Sequence, residues 1–303
     1  MWTTAFDRFV APARAAPQLW RLVAGVVVVA LVWMAGVAAI LGGVLAVYGE
    51  AALMALLEAF AQTDTPVAVL LLLATFAGMF AGPLLAVRWL HRRRGRSLFG
   101  PGLWRGFSAG AGIAAALIAL AALVLPLPVD LVRNLPTAQF LGLLPLALAG
   151  LLLQTGAEEV LFRGYLQGQL AARFRSPLVW MALPALAFGA LHYDPASAGG
   201  NVGWVVASAT LFGLIAADLT RVTGSIGAGW GLHFANNASA MLVVAIDGSL
   251  SGLSLWTTPM PVDALPGIVL LQDMTFTLIV WACIRLWLAR RGRPPVAEAG
   301  PAE

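Results

Sequence analysis

The residues best suited to chemistry in this chain are two adjacent acids, Glu158 and Glu159, which end a long apolar run and are followed by Arg163. An ionisable side chain near the hydrocarbon core of a membrane costs about 3 kcal/mol or more, so such residues usually serve a function. On a helix the two carboxylates project about 100° apart, and Arg163 follows Glu159 in the favourable i, i+4 order for an ion pair. We therefore predict that Glu159 pairs with Arg163 as a structural clamp and that Glu158 faces a cavity. The alternative is a helix end at the membrane boundary, where all three charges are solvated.

Two later apolar segments carry the polar groups that could join these acids. Phe188 and His192 share one face of a predicted helix, and Gly189 between them permits the close approach of another helix. His233 and Asn237 have the same spacing on a second predicted helix. Two alternatives stay open, because a histidine at a helix end is often an interface residue and a buried His–Asn pair can simply join two helices.

Together these groups supply what the hydrolysis of a peptide bond requires. A carboxylate can accept a proton from water as a general base, and an imidazole can orient that water or protonate the leaving amine. A second imidazole and an amide can donate hydrogen bonds to the oxyanion that forms on the carbonyl oxygen. The sequence has no His-Glu-x-x-His motif, which argues against a zincin. Two histidines and a glutamate could still bind zinc, and those ligands would be Glu158, His192 and His233.

The composition indicates an integral membrane protein. Hydrophobic residues make up 60% of the 303 residues, charged residues make up 11%, and the mean hydropathy is +0.88. In a soluble domain about a quarter of the residues are charged. All 18 basic residues are arginines that follow membrane topology, so the net charge of +4 gives no reason to expect nucleic acid as a partner. The single cysteine, Cys283, excludes an internal disulfide.

Apolar runs of about 20 residues are long enough to cross a bilayer as helices. The chain is predicted to be an all-α polytopic membrane helix bundle with about eight transmembrane helices. The predicted spans are residues 20–48, 66–88, 104–126, 138–160, 178–192, 202–219, 225–246 and 265–287. With both termini in the cytoplasm, only Arg133 of the 18 arginines falls on the outer side, as the positive-inside rule favours. Arginine as the sole basic residue type besides histidine, with abundant Ala, Gly, Leu and Val, is typical of a GC-rich bacterial genome, so the predicted location is the inner (plasma) membrane of a bacterium.

A single transmembrane domain is predicted over residues 20–287. Residues 1–19 contain aromatic residues and prolines and are expected to lie along the membrane interface. Residues 288–303 are expected to form a disordered cytoplasmic tail. The arginine run within residues 92–96 is interpreted as a topology anchor, with the binding of anionic lipid headgroups as the alternative.

The motifs Glu-Glu-x-x-x-Arg, Phe-x-x-x-His and His-x-x-x-Asn follow one another in separate predicted spans, and this order resembles the CPBP family. That family comprises the CAAX prenyl endoproteases and the Abi-type, bacteriocin-processing intramembrane proteases of bacteria. Gly164 after the arginine also matches, and the resemblance covers about residues 138–245, the predicted catalytic core. It implies a CAAX-protease-like fold. The site residues that it implies are Glu158, His192, His233 and Asn237 as catalytic groups and Glu159, Arg163 and Phe188 as supporting groups.

The resemblance further implies an intramembrane endopeptidase in which Glu158 and His192 activate water while His233 and Asn237 stabilise the oxyanion. The family has been called metalloprotease, but we favour a mechanism without metal and keep zinc as the alternative. The expected partners are the lipid bilayer and a membrane-anchored or lipid-modified protein substrate. Two other functions stay open: a non-catalytic membrane scaffold or immunity protein, and a proton-coupled transporter that uses Glu158, Asp273 and the histidines as relays.

Overall fold

The computed structural model describes residues 2–125, 130–248 and 250–291. Within these ranges the chain is mostly helical, because a helix satisfies its own backbone hydrogen bonds in an apolar environment. The α-helices are α1 (Thr4–Val10), α2 (Leu19–Tyr48), α3 (Glu50–Gln62), α4 (Pro66–Trp89), α5 (Leu103–Val124), α6 (Thr137–Glu159), α7 (Gly168–Arg173), α8 (Leu183–Ala190), α9 (Pro195–Ala198), α10 (Val202–Thr223), α11 (Gly227–Ala238) and α12 (Gly267–Arg291). Three π-helical segments lie at Val160–Gln167, Leu178–Ala182 and Ser239–Val243. Short 3-10 turns lie at Ala11–Ala15, Gly95–Leu98, Gly199–Asn201, Ser251–Leu253 and Val262–Ala264.

Six of the described helical runs are long and apolar enough to cross a membrane. They are Leu19–Tyr48, Pro66–Trp89, Gly95–Val124, Thr137–Arg173, Pro195–Thr223 and Gly267–Arg290. The predicted all-α membrane bundle is thus confirmed, and the chain is a multi-pass membrane protein. The predicted count of eight spans is not confirmed, because the fifth and seventh predicted spans are shorter helical runs, Leu178–Ala190 and 227–243.

Both shorter runs end at local signals that the hydropathy pattern does not contain. The run that ends at Ala190 is followed by a turn into Asp194. The Asp194 carboxylate caps α9 by accepting hydrogen bonds from the backbone N–H groups of Ala196 and Ser197. The later run ends where the strand Val244–Ala245 begins. These ends make both runs shorter than a full membrane crossing.

The predicted fourth span, residues 138–160, ends too early. Helix α6 continues through the first π-helical segment into α7, so that one helical run of 37 residues covers Thr137–Arg173. The charges of Glu158 and Glu159 do not end the helix, because both side chains are buried inside the bundle among polar partners. Glu158 consequently lies roughly 20 Å before the end of the helical run.

The two ends of the bundle differ in chemistry. The arginine end, which carries Arg93, Arg173 and Arg221, joins the loop after α4 to α7 by a hydrogen bond of 3.1 Å from Arg93 Nη1 to Gln169 Oε1. At the opposite end lie three short strands, β1 (Val132–Arg133), β2 (Val244–Ala245) and β3 (Trp256–Thr257). They form one sheet in the order β1-β3-β2, in which β3 pairs antiparallel with β1 and parallel with β2.

The N-terminal segment, residues 1–19, contains α1, which packs against α10. The Thr3 hydroxyl donates a hydrogen bond of 2.5 Å to the backbone oxygen of Arg221. The Phe6 side chain is fully buried, with its ring 4.8 Å from that of Trp180. The segment therefore covers the arginine end of the bundle, and its position at the membrane interface stays a prediction.

The C-terminal tail begins later than predicted. Helix α12 continues to Arg291, so residues 288–291 are helical, in keeping with the good helix propensity of leucine, alanine and arginine. The rest of the predicted tail, residues 292–303, lies outside the described residues.

Helix α11 is held in the bundle by close contact with α5. A Cβ atom at Gly227 would lie 2.2 Å from the backbone oxygen of Leu103, and one at Gly231 would lie 2.0 Å from that of Phe107. Any larger residue at either position would push the helices apart. The close approach fixes the depth and rotation of α11, and with them the positions of the polar groups in its next two turns.

Candidate active site

The acids of α6 are buried rather than solvated at a helix end. Glu159 and Arg163 are 0% and 2% exposed, and Arg163 Nη1 lies 3.1 Å from Glu159 Oε1. The predicted contact between them is therefore confirmed, and the alternative of three solvated charges is wrong. Glu158, one residue earlier, is 8% exposed and points to a different side of the helix, where it lines a cavity.

His233 lies between the two acids, a contact that the sequence did not predict. Its Nδ1 is 3.0 Å from Glu159 Oε1, and its Nε2 is 3.4 Å from Glu158 Oε2. An ionised carboxylate only accepts hydrogen bonds, so Nδ1 of His233 carries the proton that is donated to Glu159. Glu159 thereby fixes the imidazole with Nε2 directed at Glu158.

The charges of this group balance when His233 is protonated. Glu158 and Glu159 contribute two negative charges, while Arg163 and His233 contribute two positive ones. Such pairing is the condition under which buried charges are tolerated. Even so, the hydrogen bonding is incomplete. Among the described residues, Glu158 Oε2, Glu159 Oε2 and both Nη1 and Nη2 of Arg163 have no hydrogen-bond partner, so the contact of Arg163 with Glu159 is an ion pair without a hydrogen bond of good geometry.

Aromatic side chains enclose the cations of this group. The guanidinium carbon of Arg163 lies 4.8 Å from the ring centre of Phe188. The ring of Phe212, on α10, is 4.6 Å from that of His233. A cation over an aromatic face is stabilised by the negative potential of that face, more strongly where water is absent. Phe188 therefore packs at the site, as the resemblance implied, whereas Phe212 was not predicted.

Asn237 is oriented by a residue that sequence reasoning missed. Its Nδ2 donates a hydrogen bond of 3.0 Å to Oε1 of Gln154. Gln154 stands four residues before Glu158, on the same face of α6, and lines the same cavity. A polar amide one turn from the acid in an otherwise apolar run is the signal that could have identified it.

His192 reaches the same cavity from the turn after α8. Its Nδ1 is 2.8 Å from the backbone oxygen of Phe188 and must donate, because a carbonyl only accepts. Nε2 is therefore the nitrogen available for proton transfer. The predicted close approach at Gly189 is confirmed, since a Cβ atom there would lie 2.0 Å from Thr210 Oγ1 on α10.

One cavity of about 530 Å³ joins the candidate catalytic residues. The predicted catalytic residues enter it from α6, the turn after α8 and α11, and its other walls come mainly from α4, α10 and α12. The polar residues that line it are Gln154, Glu158, His192, Ser208, His233, Asn236, Asn237, Asp273 and Thr277. All four residues predicted as catalytic, from α6, the turn after α8 and α11, thus face a common space. Glu159 and Arg163 lie behind it.

The arrangement does not form a ready-made zinc site. Within the described residues, no three side chains of His, Cys, Asp or Glu come together as a metal-binding group. Both ring nitrogens of His233 face glutamate oxygens. Glu158, His192 and His233 are therefore not gathered as a three-ligand group in this conformation, and zinc stays the alternative to the metal-free mechanism.

Comparison with known proteins locates a resemblance in this same part of the chain. Residues 138–239 match the family model described as type II CAAX prenyl endopeptidase Rce1-like. The Bacillus subtilis (strain 168) protein named "Uncharacterized protein YyaK" is 29% identical over 178 residues, which cover 56% of this chain and 59% of that protein. No solved structure matches the chain. The segment that supplies all four candidate catalytic residues is thus Rce1-like, and the predicted resemblance to the CPBP family is confirmed.

Proposed function

We propose that this protein is an intramembrane endopeptidase that hydrolyses a peptide bond with a water molecule activated by Glu158 and His192. The observation that carries the proposal is the shared cavity, in which a buried carboxylate, two imidazoles and an amide face one space inside a membrane bundle. The Rce1-like match over residues 138–239 supports the same reaction class.

The proposed reaction begins with a water molecule beside the Glu158 carboxylate. Glu158 accepts a proton from the water while Nε2 of His192 orients it, and the resulting hydroxide attacks the carbonyl carbon of the peptide. The carbonyl oxygen becomes an oxyanion that accepts hydrogen bonds from Nε2 of protonated His233 and from the Asn237 amide. The proton held by Glu158 then passes to the leaving nitrogen, and the carbon–nitrogen bond breaks to give a carboxylic acid and an amine.

The supporting residues hold this arrangement. Glu159 accepts the Nδ1 proton of His233 and so directs Nε2 towards Glu158, which lines the cavity. It also stabilises the protonated imidazole that the oxyanion requires. Arg163 gives the buried Glu159 carboxylate a second cationic partner beside His233. Gln154 performs the corresponding task for Asn237 by accepting one of its two amide protons, which leaves the other for the oxyanion.

The proposed substrate is a membrane-anchored or lipid-modified protein segment. Apolar side chains such as Leu73, Phe76 and Leu270 line the cavity beside the polar groups, which suits a peptide that enters from the bilayer. The proposed setting is the inner membrane of a bacterium with both termini in the cytoplasm, because the arginines concentrate at one end of the bundle.

The test is cleavage of a membrane-peptide library by purified wild-type protein and by Glu158→Gln, with Glu50→Gln as the matched control at an exposed site. Each protein is assayed after chelation and with zinc restored. Cleavage that is retained in the chelated wild type and in Glu50→Gln but lost in Glu158→Gln supports the proposal. Equal cleavage by all three proteins would remove Glu158 as the base, and cleavage only after zinc is restored would refute the metal-free mechanism. No cleavage by any protein would favour a scaffold or immunity role.

A proton relay is the second candidate, because Asp273 lies in the same cavity as Glu158 and the histidines. The Ser208 hydroxyl points at Asp273 Oδ2 from 3.5 Å, so this acid has only a weak partner in the described residues. In liposomes with a pH gradient, a relay would give proton flux that Asp273→Asn abolishes. An endopeptidase would give none, and its peptide cleavage would survive the same substitution.

A further inference from the structure

A second cavity, of about 660 Å³, lies at the arginine end and is separate from the candidate active site. We name it the arginine cavity, because five of its ten lining residues are arginines. They are Arg8 from α1 and Arg92, Arg93, Arg94 and Arg96 from the turn between α4 and α5. Phe9, Pro12, Ser97, Gly100 and Pro101 complete the lining, so no acid faces these cations from it.

The arginines of this cavity lack the acidic partners that other arginines have. Within the described residues, the salt bridges of the chain involve Arg14, Arg163, Arg221 and Arg285 and none of the five in the cavity. Four of the five are exposed, and only Arg93 is buried. Like charges gathered without a counter-charge repel one another, and an anion in the cavity would remove that repulsion.

The backbone holds the cluster in place. Arg92 has φ of +54°, a left-handed conformation that costs a residue other than glycine about 1 kcal/mol or more. The backbone N–H of Arg93 donates a hydrogen bond of 2.9 Å to the backbone oxygen of Val87. Its guanidinium donates hydrogen bonds to Ser97 Oγ (3.2 Å) and Gln169 Oε1 (3.1 Å). Burial lowers the pKa of Arg93 to about 10, which still leaves it charged at neutral pH.

Exposed tryptophans locate the cavity along the membrane normal. Trp20, Trp89 and Trp104 are 60%, 61% and 59% exposed and stand at the arginine-end termini of α2, α4 and α5. Tryptophan is enriched at the level of the lipid headgroups, where an apolar ring with one N–H donor is best solvated. The cavity lies just beyond the helix ends that carry Trp89 and Trp104, so it opens where lipid phosphates are found.

We propose that the arginine cavity binds a phosphate group, with the headgroup of an anionic phospholipid as its source in the membrane. Arginine suits this task because its planar guanidinium donates paired hydrogen bonds to phosphate oxygens. The site would tie the turn between α4 and α5 to α1 through a shared lipid. This inference concerns a surface remote from Glu158 and stands independently of the proposed peptidase activity.

The test measures binding of phosphatidylglycerol, phosphatidylcholine and inorganic phosphate to the delipidated full-length protein in detergent. The site variant is Arg94→Gln/Arg96→Gln, and the matched control is Arg88→Gln/Arg105→Gln, which removes the same charge from exposed positions outside the cavity. Each arginine near a lipid surface contributes about 1 kcal/mol, so the site variant should bind phosphatidylglycerol at least about tenfold more weakly. The control should change less than about twofold.

The remaining arms identify the source of the phosphate and guard against misfolding. Binding of phosphatidylglycerol that inorganic phosphate does not displace identifies a lipid, and binding of inorganic phosphate that is lost in the site variant identifies a soluble anion. Arg94→Lys/Arg96→Lys, which keeps the charge, should recover part of the affinity. If the site variant does not fold, Arg8→Gln on α1 replaces it and should weaken binding about threefold or more. The proposal would be overturned if the site and control variants lost the same affinity for phosphatidylglycerol. It would also be overturned if the wild type bound phosphatidylglycerol no better than phosphatidylcholine and did not bind inorganic phosphate.

Discussion

Two buried carboxylates in this protein have nearly the same exposure and very different surroundings. Glu158 is 8% exposed and Asp218, on α10, is 7% exposed. Asp218 accepts hydrogen bonds from Arg221 Nε (3.1 Å) and Nη2 (2.6 Å), from Trp281 Nε1 (3.0 Å) and from Arg285 Nη1. Its donors come from α10 and α12, so the cluster joins two helices.

Glu158 has no comparable set of donors. Its nearest charged partner among the described residues is His233, whose Nε2 stays 3.4 Å away, and its Oε2 has no hydrogen-bond partner there. It also lines the cavity of about 530 Å³, and Asp218 is not among the residues that line that cavity. A carboxylate whose lone pairs are all occupied stabilises the fold, but one that keeps a lone pair directed at a cavity can accept a proton from a reactant. Hydrogen-bond saturation, rather than burial, therefore separates the two roles.

The largest expected effect is on catalysis and comes from Glu158→Gln. The substitution keeps the shape of the side chain but removes the base, so peptide cleavage should fall about 10³-fold. Thermal unfolding should change little, because no hydrogen bond from a described residue to Glu158 Oε2 is lost. Single-turnover cleavage and the melting temperature in detergent measure the two quantities.

Asp218→Asn is the matched change in the other cluster and should give the reverse pattern. An amide cannot accept from two arginines as well as a carboxylate can, so the protein should lose about 2 kcal/mol of stability. Cleavage per folded molecule should stay within about twofold of the wild type. A catalytic loss in Asp218→Asn as large as in Glu158→Gln would break the distinction between the clusters.

The second effect is on stability and comes from Arg163→Ala. The change leaves Glu159 as a buried anion whose remaining partner is His233, which should destabilise the fold by about 3 kcal/mol. Arg285→Ala in the other cluster should cost only about 1 kcal/mol, because Arg285 is 34% exposed and Arg221 still neutralises Asp218. Unfolding in denaturant, measured in the same detergent, compares them. If Arg163→Ala left both the free energy of unfolding and peptide cleavage unchanged, the clamp role of Glu159 and Arg163 would be wrong.

The sequence predicted contacts that lie within one helix better than contacts between helices. The Glu159–Arg163 pair follows from i, i+4 spacing alone, and the structure contains it. The bond from His233 to Glu159 joins residues 74 positions apart, so no local pattern could have predicted it. The motifs could place His233 at a common site, but not between two acids.

Helix boundaries are the second feature that the sequence predicts poorly. The hydropathy pattern ends the fourth span at the charges of Glu158 and Glu159, yet buried partners neutralise these charges and the helix continues to Arg173. The π-helical segments next to α6, α8 and α11 were equally invisible. Widened turns of this kind are frequent at functional sites, and they depend on tertiary packing that hydropathy does not encode.

A smaller effect is expected at Gln154, which tests whether positioning matters as well as chemistry. Gln154→Leu removes the acceptor that holds the Asn237 amide, at similar side-chain volume. We expect about a tenfold lower kcat with little change in KM, because oxyanion stabilisation acts in the transition state. Gln154→Glu, which keeps an acceptor, should retain more activity. An unchanged kcat in Gln154→Leu would show that Asn237 needs no such support.

The smallest expected effect concerns His91, a buried histidine that has no carboxylate partner among the described residues. His91, at the arginine end, contacts the Ala16 oxygen through Nδ1 (3.0 Å) and the Tyr165 hydroxyl through Nε2 (2.9 Å). Burial lowers the pKa of His91 below its ordinary value of 6.5, and the nearby charges of Arg93 and Arg21 lower it further.

The pH dependence of stability follows from that direction. Below about pH 6.5 the unfolded chain binds a proton that folded His91 does not, so stability is complete above this pH and falls as the pH decreases. Between pH 7.5 and 5.5 the loss should be about 1 kcal/mol, within the limit of about 1.4 kcal/mol per pH unit for one proton. His91→Gln should flatten this dependence, whereas the exposed control His192→Gln should keep it. Because His91 is buried without a carboxylate partner, an unchanged slope in His91→Gln would remove His91 as the source of the acid sensitivity.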